Sequence, residues 1–399
     1  MYGNVLKGDL LMRRNVNRIL FFLVFFNSIF LVHGQAKTIE PFIIPSVRFS
    51  ALGGNHAAVG DSFYSIFTNP ASFVDISGQF SAAELSVTTY GPVFELADLF
   101  LSNTGSASSM DFTPILGTGK FSAGFDIAGP LSLGWVGKGL GLGIFSRFKT
   151  DAPVSGINLR PAVSGDLLLT AGYSFRIINK NSHLLDGGFL GKGFFRGQIN
   201  LVTPMWEVPA IIDDPFSYDP FSKPFVTYLG LGLDLGLRYT WANTFAFSVV
   251  CFDVYSPVLV TPYNSIFDFG NHASPSADVS YTSVRRRLDA GLKYCISNTF
   301  IDRYFTSLTV MADYHDLLDL LNYVPRNPIL NAGIGVEMTV LNALSFRFGL
   351  ADALPAFGVG LNLSFMTLDL SIFGKELGLV PEPGKNSTYC LGVGLLFRY

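Results

Sequence analysis

Thr227-Tyr228-Leu229-Gly230-Leu231-Gly232-Leu233-Asp234-Leu235-Gly236-Leu237-Arg238-Tyr239 sorts its residues by parity. One set is Leu229, Leu231, Leu233, Leu235, Leu237 and Tyr239. The other is Tyr228, Gly230, Gly232, Asp234, Gly236 and Arg238. A period of two means a strand with two different faces. The leucine face suits hydrocarbon, and the other suits a crowded, partly charged interior. A soluble sandwich shows the same alternation only where its leucine face finds a shared core.

Outward from this stretch the pattern recurs. Phe346, Phe348 and Leu350 stand opposite Arg347. Phe357, Val359, Leu361, Leu363 and Phe365 stand opposite Gly358, Gly360, Asn362 and Ser364. Ala332, Ile334, Val336, Met338 and Val340 alternate with Asn331, Gly333, Gly335, Glu337 and Thr339. Leu288, Ala290, Leu292 and Tyr294 alternate with Arg287, Asp289, Gly291 and Lys293. In Gly-Leu-Gly-Leu-Gly, residues 139–143, no helix follows to make a dinucleotide loop. Small inward residues there leave room in a lumen or let an inner plug approach the wall.

The composition agrees. Of 399 residues, 49% are hydrophobic and 14% charged, where a soluble domain carries about 25% charge. Such apolar content excludes disorder. Only one run, at the N-terminus, is long and apolar enough to suggest a membrane helix, which excludes a polytopic helical protein. Hydropathy spread over alternate residues points to a closed transmembrane β-barrel. We predict an all-β, antiparallel barrel of about fourteen strands. The predicted spans are 78–90, 119–129, 139–149, 165–178, 192–203, 227–240, 243–255, 283–296, 304–316, 329–340, 343–351, 355–364, 366–374 and 388–399. The final face, Tyr389, Leu391, Val393, Leu395, Phe397 and Tyr399, ends on an aromatic. It resembles the C-terminal strand signal read by the outer-membrane assembly machinery.

Three intervals break the alternation. They are Phe94 to Thr118, Trp206 to Lys223, and Tyr255 to Ser280 with Pro257, Pro262 and Pro275. Proline removes ladder donors, so the latter two are expected to be long loops. Net charge is −3 without a basic face, so no nucleic acid is expected as partner. Cys251, Cys295 and Cys390 are too few and scattered for a disulfide framework or zinc site. No metal, cofactor or catalytic constellation is expected. His315 beside Asp313 and Asp316 is the nearest approach to one, and it reads better as a lumen residue at a strand end.

At the start, Met12 to Arg18 is basic and Ile19 to Val32 apolar. Val32-His33-Gly34 then offers small residues for cleavage before Gln35. This is the layout of a secretory signal, with an uncleaved anchor as the alternative. The expected organisation is a signal peptide over 1–34, an N-terminal hatch over 35–77 and a barrel over 78–399.

A resemblance supports the hatch. Arg48-Phe49-Ser50-Ala51-Leu52-Gly53-Gly54 leads to Asp61, and Asn69-Pro70-Ala71 directly precedes the first strand. This looks like the N-terminal hatch of FadL-type long-chain fatty-acid transporters, closest to the FadL-like proteins of spirochaetes. Gly53, Gly54, Asp61, Asn69, Pro70 and Ala71 match its pattern. The resemblance implies a location in the outer membrane of a diderm bacterium. It also implies uptake of a long-chain fatty acid or similar hydrophobic small molecule, with membrane lipid as surroundings and lateral release after the hatch shifts. Loop aromatics Phe216, Phe221, Phe225, Tyr263, Phe267 and Phe269 are candidate ligand contacts. Inward Arg147, Arg196 and Arg238 are candidates for a carboxylate. For each cation the competing reading is a lumen ion pair with inward carboxylates such as Asp234, Asp289, Asp313, Glu337 and Asp369. Competing functions are a partner-binding or secretion-assembly barrel and a diffusion porin.

Overall fold

The computed structural model describes residues 38–91, 122–155, 158–207, 219–296, 305, 307–363, 365–381 and 387–398. The signal-peptide reading, Phe216, Tyr399 and the interval Phe94 to Thr118 lie outside them.

Fourteen antiparallel strands form one closed wall. They are β1 (Gln79–Tyr90), β2 (Ser122–Gly137), β3 (Leu140–Ser155), β4 (Ala162–Lys180), β5 (His183–Asn200) and β6 (Phe225–Trp241). β7 runs Phe245–Tyr255 and continues as Pro257–Tyr263. β8 runs Ser280–Val284 and continues as Arg287–Ile296. Then come β9 (Ser307–Tyr314), β10 (Ala332–Val340), β11 (Leu344–Ala351), β12 (Leu354–Asn362), β13 (Met366–Glu376) and β14 (Ser387–Arg398). Each pairs with its sequence neighbour. β14 returns to β1, with Val393 opposite Val87 and Leu395 opposite Leu85. Closure leaves no unpaired edge, which is what allows a sheet to sit in hydrocarbon.

The expected parity holds on β6 and on β10 to β14. Leu229, Leu231, Phe348, Leu350, Phe357, Val359, Tyr389, Leu391, Val393 and Phe397 are exposed outward. Asp234, Arg238, Glu337, Arg347 and Asp369 are buried inward. One end has tight turns, such as Lys138–Gly139 and Asn181–Ser182, and the other carries the long connections. That asymmetry is characteristic of outer-membrane barrels.

Two expectations need correction. β5 begins at His183, not near residue 192. The interval Tyr255 to Ser280 is not all loop, because Pro257–Tyr263 pairs with β6 and Ser280–Val284 pairs with it in turn. Pro257 starts its strand after a break, a place where a missing donor does no harm. The break follows Asp253, whose φ is 53°. There the ladder with β6 slips, from Cys251 opposite Leu235 to Tyr255 opposite Leu233.

The lumen is filled by residues 38–78. Thr38–Ile39 pairs in parallel with Ser283–Val284. Two short helices follow, α1 (Val47–Ala51) and α2 (Ser65–Thr68), then a 3-10 turn over Pro70–Asp75. Ser46 caps α1 by accepting from the Phe49 amide, and Asn69 caps the 3-10 turn. Phe49, Leu52, Phe63, Ile66 and Phe73 are fully buried between this segment and the wall. Three of the four fully buried phenylalanines thus come from the inner segment, and the fourth, Phe145, from β3.

Candidate functional site

Glycine pairs in the wall create the seats for the inner segment. Gly188 on β5 lies opposite Gly236 on β6. A Cβ on Gly188 would stand 2.5 Å from the Pro70 carbonyl carbon, and one on Gly236 would strike the Asn69 side-chain oxygen. Gly141 and Gly172 are likewise opposite each other, and both face the Phe73 ring. Gly335 and Gly349 are a third pair, and both face Leu52. Gly53, at φ +88°, passes so close to the wall that a Cβ would lie 2.5 Å from the Leu350 carbonyl oxygen. The Gly-Gly segment therefore answers a steric demand, because only glycine combines that φ with that approach.

Asn69 closes the middle seat. Its side-chain oxygen accepts from the Ala71 amide at 2.9 Å, while its Nδ2 donates to Ala57 O at 3.2 Å and Leu237 O at 3.3 Å. It is fully buried. Asn69→Ala leaves these groups unsatisfied, at a cost of about 1–3 kcal/mol. We expect faster trypsin cleavage after Arg48 in the folded barrel. Cleavage at the wild-type rate would show that Asn69 does not hold the segment.

Charges hold the segment at the tight-turn end. Arg48 Nε donates to Glu337 Oε1 at 3.0 Å and Nη1 to Asp61 Oδ1 at 3.0 Å. Arg347 joins Glu337 at 2.8 Å to Asp369 at 2.5 Å. Burial opposes the charged form of Asp61, but Arg48 and then Lys293 outweigh it and hold the carboxyl well below its ordinary range. Across the lumen, Asp75 pairs with Arg238 at 2.6 Å and also with Arg176. His56 Nδ1 meets Asp313 at 2.5 Å, and Asp313 also accepts from the Ala57 amide at 2.7 Å.

The three arginines expected to receive a carboxylate are thus already engaged. Arg147 forks onto Asp126 and Arg196 onto Asp166, while Arg238 donates to Asp75 through Nη1. Arg196 also lies 4.0 Å over the Phe42 ring. His315 pairs with Asp289 at 3.3 Å rather than with Asp313 or Asp316. The loop aromatics divide. Phe225 and Tyr263 are strand-end residues that enclose Phe269, which also stacks on Phe195. Phe221 and Phe267 are exposed.

Two hollows flank the inner segment. A vestibule of about 330 Å³ at the long-loop end reaches Gly54, Tyr90, Arg147, Lys149, His315 and Lys375. Lys375 lies 5.4 Å over the Tyr90 ring and makes no ion pair among the described residues. A tight apolar pocket of about 30 Å³ lies between Phe42, Ile44, Ile66 and Phe67 of the inner segment and Leu168 and Leu190 of the wall. Lys192 forms its floor, bridging Asp234 at 2.8 Å and Asp253 at 2.7 Å.

The wall behind this pocket belongs to β4, β5 and β6. On its outer face lies an apolar groove of about 580 Å³, between Leu167, Leu169, Leu229, Leu231, Leu259 and Tyr281. Phe194, Gly230 and Val258 are the buried, inward-parity residues among those that line the groove. A Cβ on Gly230 would stand 2.5 Å from the Phe194 ring, so that ring fills the notch glycine leaves. Its other side stacks on Phe42 with centroids 4.0 Å apart. Sequence reasoning missed Phe42, Phe194 and Lys192. The one signal was local, since on β5 Leu190 and Phe194 face inward while Gly191 and Gly193 face outward, the reverse of the prevailing parity.

No family model matches the chain, and no curated protein does. Among solved structures, the chain is similar to the toluene transporter TbuX of Ralstonia pickettii, at 12% identity and a TM-score of 0.46, covering 91% of this chain and 98% of that one. It is similar to a FadL homologue of Pseudomonas aeruginosa at 12% identity and 0.45, covering 90% and 99%. It is similar to the toluene transporter TodX of Pseudomonas putida at 11% and 0.43, covering 92% and 99%.

Proposed function

We propose that this barrel takes hydrophobic small molecules, long-chain fatty acids among them, across the outer membrane of a diderm bacterium. Residues 1–34 act as a cleaved signal, 35–77 as the hatch and the C-terminal strand as the mark for assembly. The observation that carries the reading is the Phe42–Phe194 stack, a removable apolar partition between a lumen pocket and a lipid-facing groove. A ligand enters the vestibule, where Lys375 suits a carboxylate better than the engaged arginines, and Lys149 is held only loosely, by Glu40 at 3.7 Å and Asp151 at 4.0 Å. It displaces Phe42 and Ile44 from the pocket and leaves past Phe194 and Gly230. Lateral exit spares an apolar molecule any passage through water. The filled lumen weighs against a diffusion porin.

The test is binding of a fluorescent fatty-acid analogue to the purified protein in detergent, with displacement by oleate or by a monoaromatic hydrocarbon. Phe194→Ala should release the analogue into lipid several-fold faster, and Phe194→Trp should slow it. If neither competitor displaces the analogue, the uptake reading is wrong. If both variants release at the wild-type rate, the exit lies elsewhere in the wall.

A further inference from the structure

The wall is not of one height. β3 to β6 run for 16, 19, 18 and 17 residues, whereas β9 to β12 have 8, 9, 8 and 9. A tilted strand needs about 9–11 residues to cross the hydrocarbon, so the short strands have nothing left to project above it. β11 and β12 also join at the long-loop end through only Asp352 and Ala353, at φ 53° and 60°, a tight hairpin. Residues 315–331 and residues 377–381, the described part of the connection that follows β13, close over this low rim.

These connections turn their polarity inside out. Leu320, Leu321, Tyr323, Val324 and Ile329 are exposed, Leu321 by 77%. Leu377, Leu379 and Val380 join them, and the Asn327 amide donates to Leu379 O at 2.8 Å. Among the described residues of both connections, the charges face the barrel. Asp319 is buried, accepting from the Arg326 amide at 2.8 Å and Asn322 at 2.7 Å. Arg326 donates to Asp352 at 2.9 Å, Glu376 O at 2.8 Å and Leu330 O at 3.2 Å. One guanidinium thus ties both connections to the low hairpin. On the tall side, exposed Phe267 sits among exposed Asn264, Asn271 and His272.

The exposed apolar surface of the low rim continues the lipid-facing belt directly. Below it on β10 to β13 stand outward Ile334, Leu350, Phe357 and Ile372, all exposed. A contiguous apolar patch with its charges withdrawn marks an interaction site, and continuity with the belt identifies the occupant as lipid. We propose that residues 315–331 and 377–381 form a rim seated in the outer leaflet, with Tyr323 at the interface where aromatic residues favour the headgroups. The vestibule, which reaches Leu330, Asp352 and Gly374 immediately behind this rim, is therefore open to solutes dissolved in the leaflet on that side. The inference rests on the outer-membrane reading and not on uptake.

Leu321→Cys and Tyr323→Cys, each carrying a nitroxide, test it in phosphatidylethanolamine–phosphatidylglycerol vesicles. Asn271→Cys is the tall-side control, and labelled wild type gives the background from the native cysteines. Collisions with oxygen should exceed those with a water-soluble nickel chelate at 321 and 323, and the order should reverse at 271. Chelate collisions at 321 and 323 matching those at 271 would mean the rim stands in water, and the proposal fails. It also fails if spin–spin broadening at 321 disappears on dilution with unlabelled protein, because a second copy then covers the patch. Ligand binding plays no part in the measurement, so a failed uptake test leaves this result readable.

Discussion

Gly236→Leu should open the barrel without unfolding it. The substituted side chain must occupy the seat of Asn69 and Pro70, with Pro70 Cδ 3.1 Å from the new Cβ. Overpacking a tight contact costs about 1–3 kcal/mol. Displacing Asn69 strands the groups it satisfies at Ala57, Ala71 and Leu237, for another ~1–3 kcal/mol. Together about 2–6 kcal/mol separates seated from unseated, at least a factor of about 30 in their ratio. The ladder of β6 with β5 and β7 is backbone-made and survives. Planar bilayers should therefore show steady conductance for the variant and rare openings for wild type, with both keeping the heat-dependent gel mobility of a folded barrel. Gly165→Leu is the control, since a Cβ there meets nothing within 4 Å. If Gly236→Leu conducts no more than Gly165→Leu, the glycine pairs are not what seats the segment.

The wall was legible in sequence because lipid reads it one face at a time. In β10 to β14, and at Leu229 and Leu231 of β6, outward side chains face the lipid side, so parity alone assigns them, while Leu235 packs with Cys251 and Val254. Parity failed on β5, which was expected to start near residue 192. There Leu190 and Phe194 face inward because the apolar pocket is inside, and Gly191 and Gly193 face outward beneath the groove. A local rule breaks where a site makes its own demand. Pairings were the second blind spot. Asn-Pro-Ala was visible as a motif, but that its seat is Gly188 opposite Gly236 depends on the register of two strands. The inward arginines were also visible. Their engagement with Asp126, Asp166 and Asp75 follows from geometry, and it turns the carboxylate question toward Lys375.

Arg48→Met should release the other side of the segment, with a dependence on pH that wild type lacks. Arg48 is the one cation of the described inner segment, residues 38–78, between Asp61 and Glu337. Without it, Arg347 alone faces the Glu337 and Asp369 carboxylates. Breaking a buried pair in this way costs about 3–5 kcal/mol. Little of that comes from Asp61, which is 42% exposed toward the tight-turn end and screened. The variant should leak at neutral pH. In wild type the Asp61 carboxyl is held below its ordinary range. Its contribution is therefore complete above about pH 4, the unfolded value, and is lost only as pH falls through the lower folded value. Wild-type conductance should stay low and flat from neutral pH to about pH 5. In the variant Asp61 returns toward its ordinary range, and protonating the carboxylates left behind removes the cost of their unpaired charge. Its leak should shrink as pH approaches about 4. A leak that is flat with pH would assign the loss to the missing alkyl chain of Arg48, and no leak at all would move the latch to the Asp75–Arg238 side of the lumen.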